Sequence, residues 1–490
     1  MGRSKTYFYK MLNFISQKTN VLLYISAMDK QYKAAIYLFN RDIRIQDNEC
    51  LTNAINYAHI VYPIFIFTNE QAVHNKYMNI RSLSFMASSL IELANQIPLC
   101  FFLGNNNEVI DKLIKSLNID VLYNNIDVTP FAINRSNQIA ALCKKNKIAF
   151  NQGNDIFIGR HINLTKSNGD PYLKYTPFYN NAKPYINREN IIAQPKLTNL
   201  RQITQSQNLQ IPKKYVLKYF PMTIFIPGRK AAEGALKKYT KTESNYLKMR
   251  DLPAKNSTTH LSAYLHFGIL GPIEVALTLK QNKNHKDIVR QLLWREFYLY
   301  IIWKQHTNYT KQSRTIMVNN KIQWRKSASD YKKWCSGETG CPIVDAGMRE
   351  LNKTGYMQNR LRMIVAMYLT FYLKLDWRLG EKYFAQNLVD YDYCNNLGGW
   401  LWSASWEVHS NDYYRVFSMS SQMKRFDPDA EYVKKWAPEL NDIPARELYD
   451  WDLNYVTYPN VKYPVPLIKN LSESRKKGIN IYAKVHSKRK

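Results

Sequence analysis

Three groups of residues in the second half of the chain carry side chains suited to chemistry. In Gln291-Leu-Leu-Trp294-Arg-Glu-Phe-Tyr298, the residues Gln291, Trp294 and Tyr298 fall at i, i+3 and i+7, one face of a helix. Such a face is either an aromatic packing stripe or a surface on which a flat ring stacks with an amide at its edge. Asn359-Arg360-Leu361-Arg362-Met363 sets Asn359 and Met363 on one face with Arg362 beside them. An amide and a guanidinium on an otherwise apolar helix are costly to bury unpaired, so they face solvent, a carboxylate or a polar ligand. Asp390 or Asp392 could supply that carboxylate. The third group is Asp390-Tyr-Asp392-Tyr-Cys-Asn-Asn396-Leu-Gly398-Gly399-Trp400-Leu-Trp402. Its glycines allow close backbone approach. Its acids and amide offer acceptors and donors for the edge of a heteroaromatic ring. Trp400 and Trp402, two apart, point different ways, one toward a buried ring and one toward a surface cleft. A Trp pair alone is more often core packing; beside Asp and Gly it reads as a cofactor site, and near a basic cleft it suits an unstacked nucleobase.

The charge supports a polyanionic partner. The 490 residues include 69 Lys and Arg against 38 Asp and Glu, a net +31. Folding gains nothing from such a charge, and self-repulsion opposes it. DNA, RNA or an anionic membrane would accept it; drift toward Lys, Asn, Ile and Tyr is the alternative. Hydrophobic residues at 45% exclude wholesale disorder. No uncharged apolar run reaches the ~18 residues of a membrane span. The six Cys are scattered and form no CxxC pair, which points to a reducing, intracellular setting with no metal site.

Elements that would position these groups follow from periodicity. Residues 33–165 alternate apolar runs with helical patterns. Ala34–Phe39, Ile60–Thr68, Leu99–Leu103 and Asp120–Tyr123 read as strands; Leu83–Leu93 and Val109–Leu117 read as helices. That alternation predicts an α/β domain with a Rossmann-like parallel sheet. Asn40-Arg41-Asp42 stands where a GxGxxG would follow the first strand, so ordinary dinucleotide binding there is not supported. Residues 166–228 are polar and irregular and read as an interdomain linker. Residues 229–470 read as all-α, with Leu361, Ile364, Val365, Tyr368, Leu369 and Tyr372 on one helix face. Residues 471–490 read as a basic tail and residues 1–32 as an N-terminal extension, either a flexible tail or sequence upstream of a start at Met28. Arg3, Lys5, Lys10 and Lys18 would allow a weak targeting peptide, and Gly2 with Thr6 fits a short myristoylation pattern.

Ordered strings along residues 33–470 resemble the photolyase/cryptochrome flavoprotein family. They are Phe39-Asn-Arg41-Asp-Ile-Arg44-Ile-Gln-Asp47-Asn48, Tyr175-Thr-Pro-Phe178, Trp294-Arg-Glu-Phe, Asp345-Ala-Gly-Met-Arg349, Gly398-Gly-Trp-Leu-Trp402, Lys424-Arg-Phe-Asp427-Pro and Trp436-Ala-Pro-Glu-Leu440. The resemblance implies an all-α C-terminal domain holding FAD. By resemblance, Tyr246 and Thr258-Thr259-His260-Leu261-Ser262 match the FAD-phosphate motif. Thr259 and His260 depart from the commoner Ser and Arg, and a hydroxyl is retained. Asp390 and Asp392 match the acidic pair by the flavin, Arg362 the Arg paired to the first, and Asn396 the residue facing flavin N5. Leu397 departs from the Asn common in repair enzymes. Trp400, Trp377 and Trp324 match the electron-transfer triad that photoreduces the flavin.

The same resemblance implies light-driven repair of cyclobutane pyrimidine dimers in UV-damaged DNA, by a monomer and without a membrane. Trp294 and Trp402 match the residues that stack on the flipped-out dimer. Gln291, Tyr298, Asn359 and Met363 lie at its pocket. The branch that repairs (6-4) products needs His at the positions of Asn359 and Met363, to move a proton. Gln291 departs from the Glu usual in cyclobutane-dimer enzymes. Arg250, Arg360, Gln422 and Lys424 match DNA-contact positions. Alternatives are a blue-light cryptochrome, a (6-4) photolyase or a nucleic-acid binder that has lost flavin. An antenna pigment, folate or deazaflavin, stays open, with Asn124–Asp127 and Lys311 near folate-contact regions.

Overall fold

The computed structural model describes residues 30–72, 75–77, 79–159, 164–203, 210–211, 213, 216, 225–241, 246–281, 286–308, 322–404 and 416–487. Lys311 and residues 1–29 of the N-terminal extension lie outside them.

β1 (Tyr32–Leu38), β2 (Ala58–Phe67), β3 (Cys100–Leu103), β4 (Val121–Asn125) and β5 (Ala149–Gly153) form a parallel sheet. The strand order is β5-β4-β1-β2-β3, and β6 (Gln210–Ile211) adds antiparallel to β3. Ala35, Tyr37, Phe65, Phe101 and Val121 face one side. Ala34, Ile36, Ile64, Phe102 and Leu122 face the other, as the period-two pleat requires. The second face is covered by helices Asn106–Leu117 and Pro130–Lys145. The first face is covered by helices Glu49–Tyr57 and Ile80–Ala94, and its core runs on through helices Ser262–His266, Pro272–Lys280 and Lys286–Asn308. The helical half is thus joined to this side of the α/β domain, with Phe85 of the Ile80–Ala94 helix 5.5 Å from both Tyr264 and Phe267, and a second apolar core fills residues 322–482.

This junction decides where the turn after β1 lies. Ile43 N donates to Phe267 O at 3.2 Å and Arg44 Nη1 donates to Gly268 O at 3.2 Å. Gly268, at φ +64°, lies where a Cβ would strike the Arg41 carbonyl, so the two halves touch backbone to backbone. The order in which strands are added reverses between the parallel neighbours β1 and β4, so the loops after both strands meet at a topological switch point.

Three expectations change. The stretch 166–228 is more than a linker. Its helix Tyr175–Ala182 packs Phe178 on Phe297, with ring centroids 5.2 Å apart, and β6 closes a sheet edge. Its average polarity hid the few apolar residues that do this. The basic tail is largely a helix, Leu471–Ser487. Lys476 and Lys477 are exposed, but Ser474, Gly478 and Tyr482, at i, i+4 and i+8, form an inner stripe. Tyr482 is buried and stacks on Phe371 at 4.4 Å. The apolar face Leu361–Tyr372 is not one α-helix: Asn359–Met367 passes into a π-helical turn, Tyr368–Tyr372. Apolar spacing does not report one extra residue per turn.

Candidate functional site

The Tyr393–Ser403 helix starts at Asp392, whose Oδ1 accepts from Asn395 N at 2.8 Å. A carboxylate is favoured at a helix N-terminus. Its Oδ2 is ion-paired with Arg41 Nη2, and His266 Nδ1 lies 3.5 Å away. Burial pushes the Asp392 carboxyl up, but Arg41, His266 and Arg295 overcome it and hold it well below the usual carboxylate range. Arg41 also reaches Asp127, beyond β4, at 3.3 Å. Asp392 therefore ties the sheet's switch point to the helix bearing Asn396 and Trp400.

Asp390, two residues earlier, takes the other cation. Both its oxygens accept from Arg362 Nη2, at 3.1 and 2.9 Å, and Arg362 Nε donates to Met357 O at 2.7 Å. The acid that pairs with Arg362 is thus Asp390, the one the resemblance implies. The Arg362 guanidinium lies 5.6 Å from the Tyr356 ring centroid. Tyr356 in turn meets Thr258 Oγ1 through its hydroxyl at 3.2 Å, and its ring is 4.8 Å from His260. His260 has a left-handed backbone, φ +52°, held by Asn256 Oδ1 at 2.7 Å from its Nε2. Tyr356 is therefore the hub that joins the Thr258–Ser262 segment to the Arg362–Asp390 pair. Tyr246, buried with Arg250 over its ring at 5.5 Å, is linked toward this segment by Tyr239, whose ring is 6.3 Å away and whose hydroxyl donates to Ser257 O at 3.2 Å.

Asn396 Nδ2 donates to Glu381 Oε1 at 3.0 Å and to Glu381 O at 3.2 Å. That pairing turns the amide oxygen away from Glu381. Burial raises the Glu381 carboxyl, against the bond from Asn396 and the charge of Lys76.

Gln291, Trp294 and Tyr298 lie on one half-exposed face of the Lys286–Asn308 helix, as their spacing predicts. The Tyr298 ring fills the space where a Gly398 Cβ would go, so it lies directly against the backbone of the Tyr393–Ser403 helix. Trp294 stacks on Tyr175 at 3.6 Å and 7°. A base can meet Trp294 only away from that covered face. Asn359 is exposed and Met363 half-buried. Arg360 pairs with Asp251 at 2.8 Å and lies 4.3 Å from the Phe426 ring, which brings it between Arg250 and the Met419–Phe426 helix of Gln422 and Lys424. Trp402 is half-buried against Phe417. Trp400 is buried, Trp377 is buried at the start of the Trp377–Asn387 helix, and Trp324 packs edge-on to Tyr482 at 6.2 Å.

Tyr356, His266, Glu381 and the Tyr175 stack escaped the sequence reading. Only Tyr175 carried a signal, inside the Tyr175-Thr-Pro-Phe178 string. Asn124 and Asn125 are buried at the end of β4, with Asn125 Nδ2 bonded to Asp42 at 2.8 Å.

These residues fit a flavin nucleotide. A Cβ on half-buried Gly399 would meet no atom within 4 Å, so the helix faces open space there. Ser257 Oγ, beside Thr258, is buried without a hydrogen-bond partner among the described residues. The hydroxyls of residues 257–262, the Arg362–Asp390 pair and the Asn396 amide supply the donors and acceptors that a phosphate and an isoalloxazine edge require. No described helix is long and apolar enough to cross a membrane.

Known proteins agree with this geometry. Residues 35–196 match the DNA photolyase family and residues 288–484 the FAD binding domain of DNA photolyase. The chain is 30% identical to the deoxyribodipyrimidine photo-lyase of Escherichia coli over 91% of its length and 97% of that protein. It is 31% identical to the deoxyribodipyrimidine photo-lyase of Buchnera aphidicola subsp. Baizongia pistaciae, again over 91% and 97%. It superposes on an archaeal photolyase from Sulfolobus tokodaii, solved with two FAD molecules, with TM-score 0.80 and 30% identity, covering 92% of this chain and 100% of that one. With its parallel α/β domain and its helical FAD-binding domain, the chain belongs to the photolyase/cryptochrome family.

Proposed function

We propose that this chain is a deoxyribodipyrimidine photo-lyase that repairs cyclobutane pyrimidine dimers in DNA under light. The observation that carries this reading is the pair Asn359 and Met363, one turn apart on the Asn359–Met367 helix. Neither can exchange a proton as the His pair of (6-4) repair must. The names of the relatives support the same lesion.

FAD, when bound in its reduced form, supplies the electron that splits the dimer on illumination and takes it back afterwards. Tyr246, Thr258, Thr259, His260, Leu261, Ser262, Arg362, Asp390, Asp392 and Asn396 hold and orient it. Trp294 and Trp402 stack against the flipped bases, and Met363 fills the apolar side of the pocket. Gln291 and Asn359 donate amide protons to base carbonyls; Gln291 offers neither a negative charge nor a carboxyl proton. Trp400, Trp377 and Trp324 pass electrons inward to keep the cofactor reduced. Arg250, Arg360, Gln422 and Lys424 track the DNA backbone, which carries no sequence information but sets affinity. The test is repair of oligonucleotides bearing one cyclobutane dimer or one (6-4) product, illuminated with reduced protein and compared with the dark. Light-dependent loss of the cyclobutane dimer alone is expected. Repair of the (6-4) product alone overturns the argument from Asn359 and Met363. Flavin photoreduction with no repair favours the photoreceptor alternative.

A further inference from the structure

Trp334 lies outside the triad that the resemblance names, yet it is fully buried against the triad's inner member. It sits on the Ala328–Ser336 helix with its ring edge-on to Trp400, centroids 6.3 Å apart at 69°. Phe384 flanks both, 5.1 Å from Trp400 and 6.4 Å from Trp334. On its far side Trp334 stacks on Tyr331 at 6.2 Å and 18°. Tyr331 is half-buried, and its hydroxyl donates to Leu379 O at 3.1 Å in an exposed bond. The three rings make a continuous aromatic path from the core to solvent.

We propose that Trp334 and Tyr331 form a second electron path into Trp400, parallel to the one through Trp377. The proposal rests on the reading of Trp400 as the flavin-side tryptophan. Trp400 gives one electron to photoexcited FAD, Trp334 refills Trp400, and Tyr331 refills Trp334. The flavin is reduced by one electron and Tyr331 is oxidised by one. The Tyr331 phenolic proton leaves to water at the exposed edge, which makes the last step a net loss of a hydrogen atom and leaves a neutral tyrosyl radical. An added small thiol then restores the phenol by giving up one hydrogen atom.

Two local features favour transfer over storage. The Trp400 Nε1 has no hydrogen-bond partner among the described residues, and Trp334 Nε1 donates to the neutral carbonyl of Val365 at 3.1 Å. Neither indole has a base at hand to take its proton, so positive charge on either ring stays mobile. Tyr383 also meets Trp334, edge-on at 5.8 Å, but its hydroxyl donates in part-buried bonds to Cys335 O and Asn352 Oδ1; among the described residues, only Tyr331 combines ring contact with Trp334 and a hydroxyl in an exposed bond.

The experiment closes the named triad and reads what remains. Protein carrying Trp377→Phe is purified with its flavin and illuminated with a small thiol, while flavin absorbance and electron paramagnetic resonance are recorded. Residual flavin photoreduction is expected, with a tyrosyl signal. Trp377→Phe/Tyr331→Phe loses the tyrosyl signal; because it removes one half-exposed hydroxyl, it keeps its fold. Trp377→Phe/Trp334→Phe loses residual photoreduction as well. Flavin-loaded Trp377→Phe with no residual photoreduction, or a tyrosyl signal that survives Tyr331→Phe, overturns the path. Wild-type protein that binds no flavin overturns the reading beneath it instead.

Discussion

Arg41 and Asp392, 351 residues apart in the chain, form an ion pair that joins the carboxyl edge of the sheet to the helix of the candidate flavin site. Both side chains are largely withdrawn from water, at 15% and 8% exposure. A pair so placed costs desolvation to form, and losing one partner costs more, because a charge is left alone. Arg41→Ala is expected to destabilise the chain by about 3–5 kcal/mol. Adding Asp392→Asn should recover part of that loss. Urea unfolding of the two single variants and the double variant gives the coupling.

The same cluster sets two pH windows. Asp392 is held well below its ordinary value against the burial that raises it. Its contribution is complete above the unfolded carboxylate value near ~4 and is lost as pH falls toward the folded value. His266 is lowered, first by burial and then by Arg41, against the pull of Asp392. The folded chain thus binds fewer protons than the unfolded one below about pH 6.5, and stability rises with pH through that range. His266→Gln should flatten the stability profile between about pH 5 and 7 and leave the acid limb in place. Denaturant midpoints across pH distinguish the two.

Glycines on neighbouring helices should respond in opposite ways. A Cβ at Gly380 would enter the Trp400 ring and one at Gly398 the Tyr298 ring, whereas one at Gly399 meets nothing. Gly380→Ala and Gly398→Ala should each cost roughly 1–3 kcal/mol by overpacking. Gly399→Ala should leave thermal unfolding of the flavin-free chain unchanged and weaken flavin retention, read from the absorbance of purified protein.

DNA affinity should divide Arg360 from Lys424. Lys424 is exposed; it pairs with half-exposed Asp450 at 3.2 Å and lies 5.5 Å from the Tyr449 ring, surface contacts of little stability value. Lys424→Ala should lower affinity and reduce the salt slope by about 0.9 per lost phosphate contact, with no change in folding. Arg360 also holds Asp251 and the Phe426 ring, so Arg360→Ala should weaken both binding and stability. Fluorescence anisotropy against salt, with parallel melts, separates the effects.

In the proposed dimer pocket, Gln291 is the residue that departs from the pattern implied for cyclobutane-dimer enzymes. Among the described residues, its Nε2 makes only a long bond, 3.4 Å, to Asp287 O in its own helix, which leaves the side chain available to a ligand there. Gln291→Glu should keep the fold and raise the yield of cyclobutane-dimer repair per photon, measured on the same oligonucleotides. An unchanged yield would mean that the amide serves the dimer as well as the acid does.

Much of this was legible along the chain because it is local. Strand alternation, the Gln291–Trp294–Tyr298 face and the Asp390–Trp402 string follow from side-chain period, which the backbone fixes within a few residues. The Leu471–Ser487 helix was hidden because its inner stripe is three small or amphipathic residues inside a basic average. Contacts between distant segments were not legible. Period cannot state that Arg41 takes Asp392 while Arg362 takes Asp390, that Tyr175 covers a face of Trp294, or that Trp334 lies against Trp400. Those partnerships depend on how the helical half packs against one side of the α/β domain, and that packing is decided by burying many apolar side chains at once. By itself, the sequence determined which side chains are available and which face each one takes. The tertiary structure decided which of them meet, because burial is a property of the whole packed core and of no single segment.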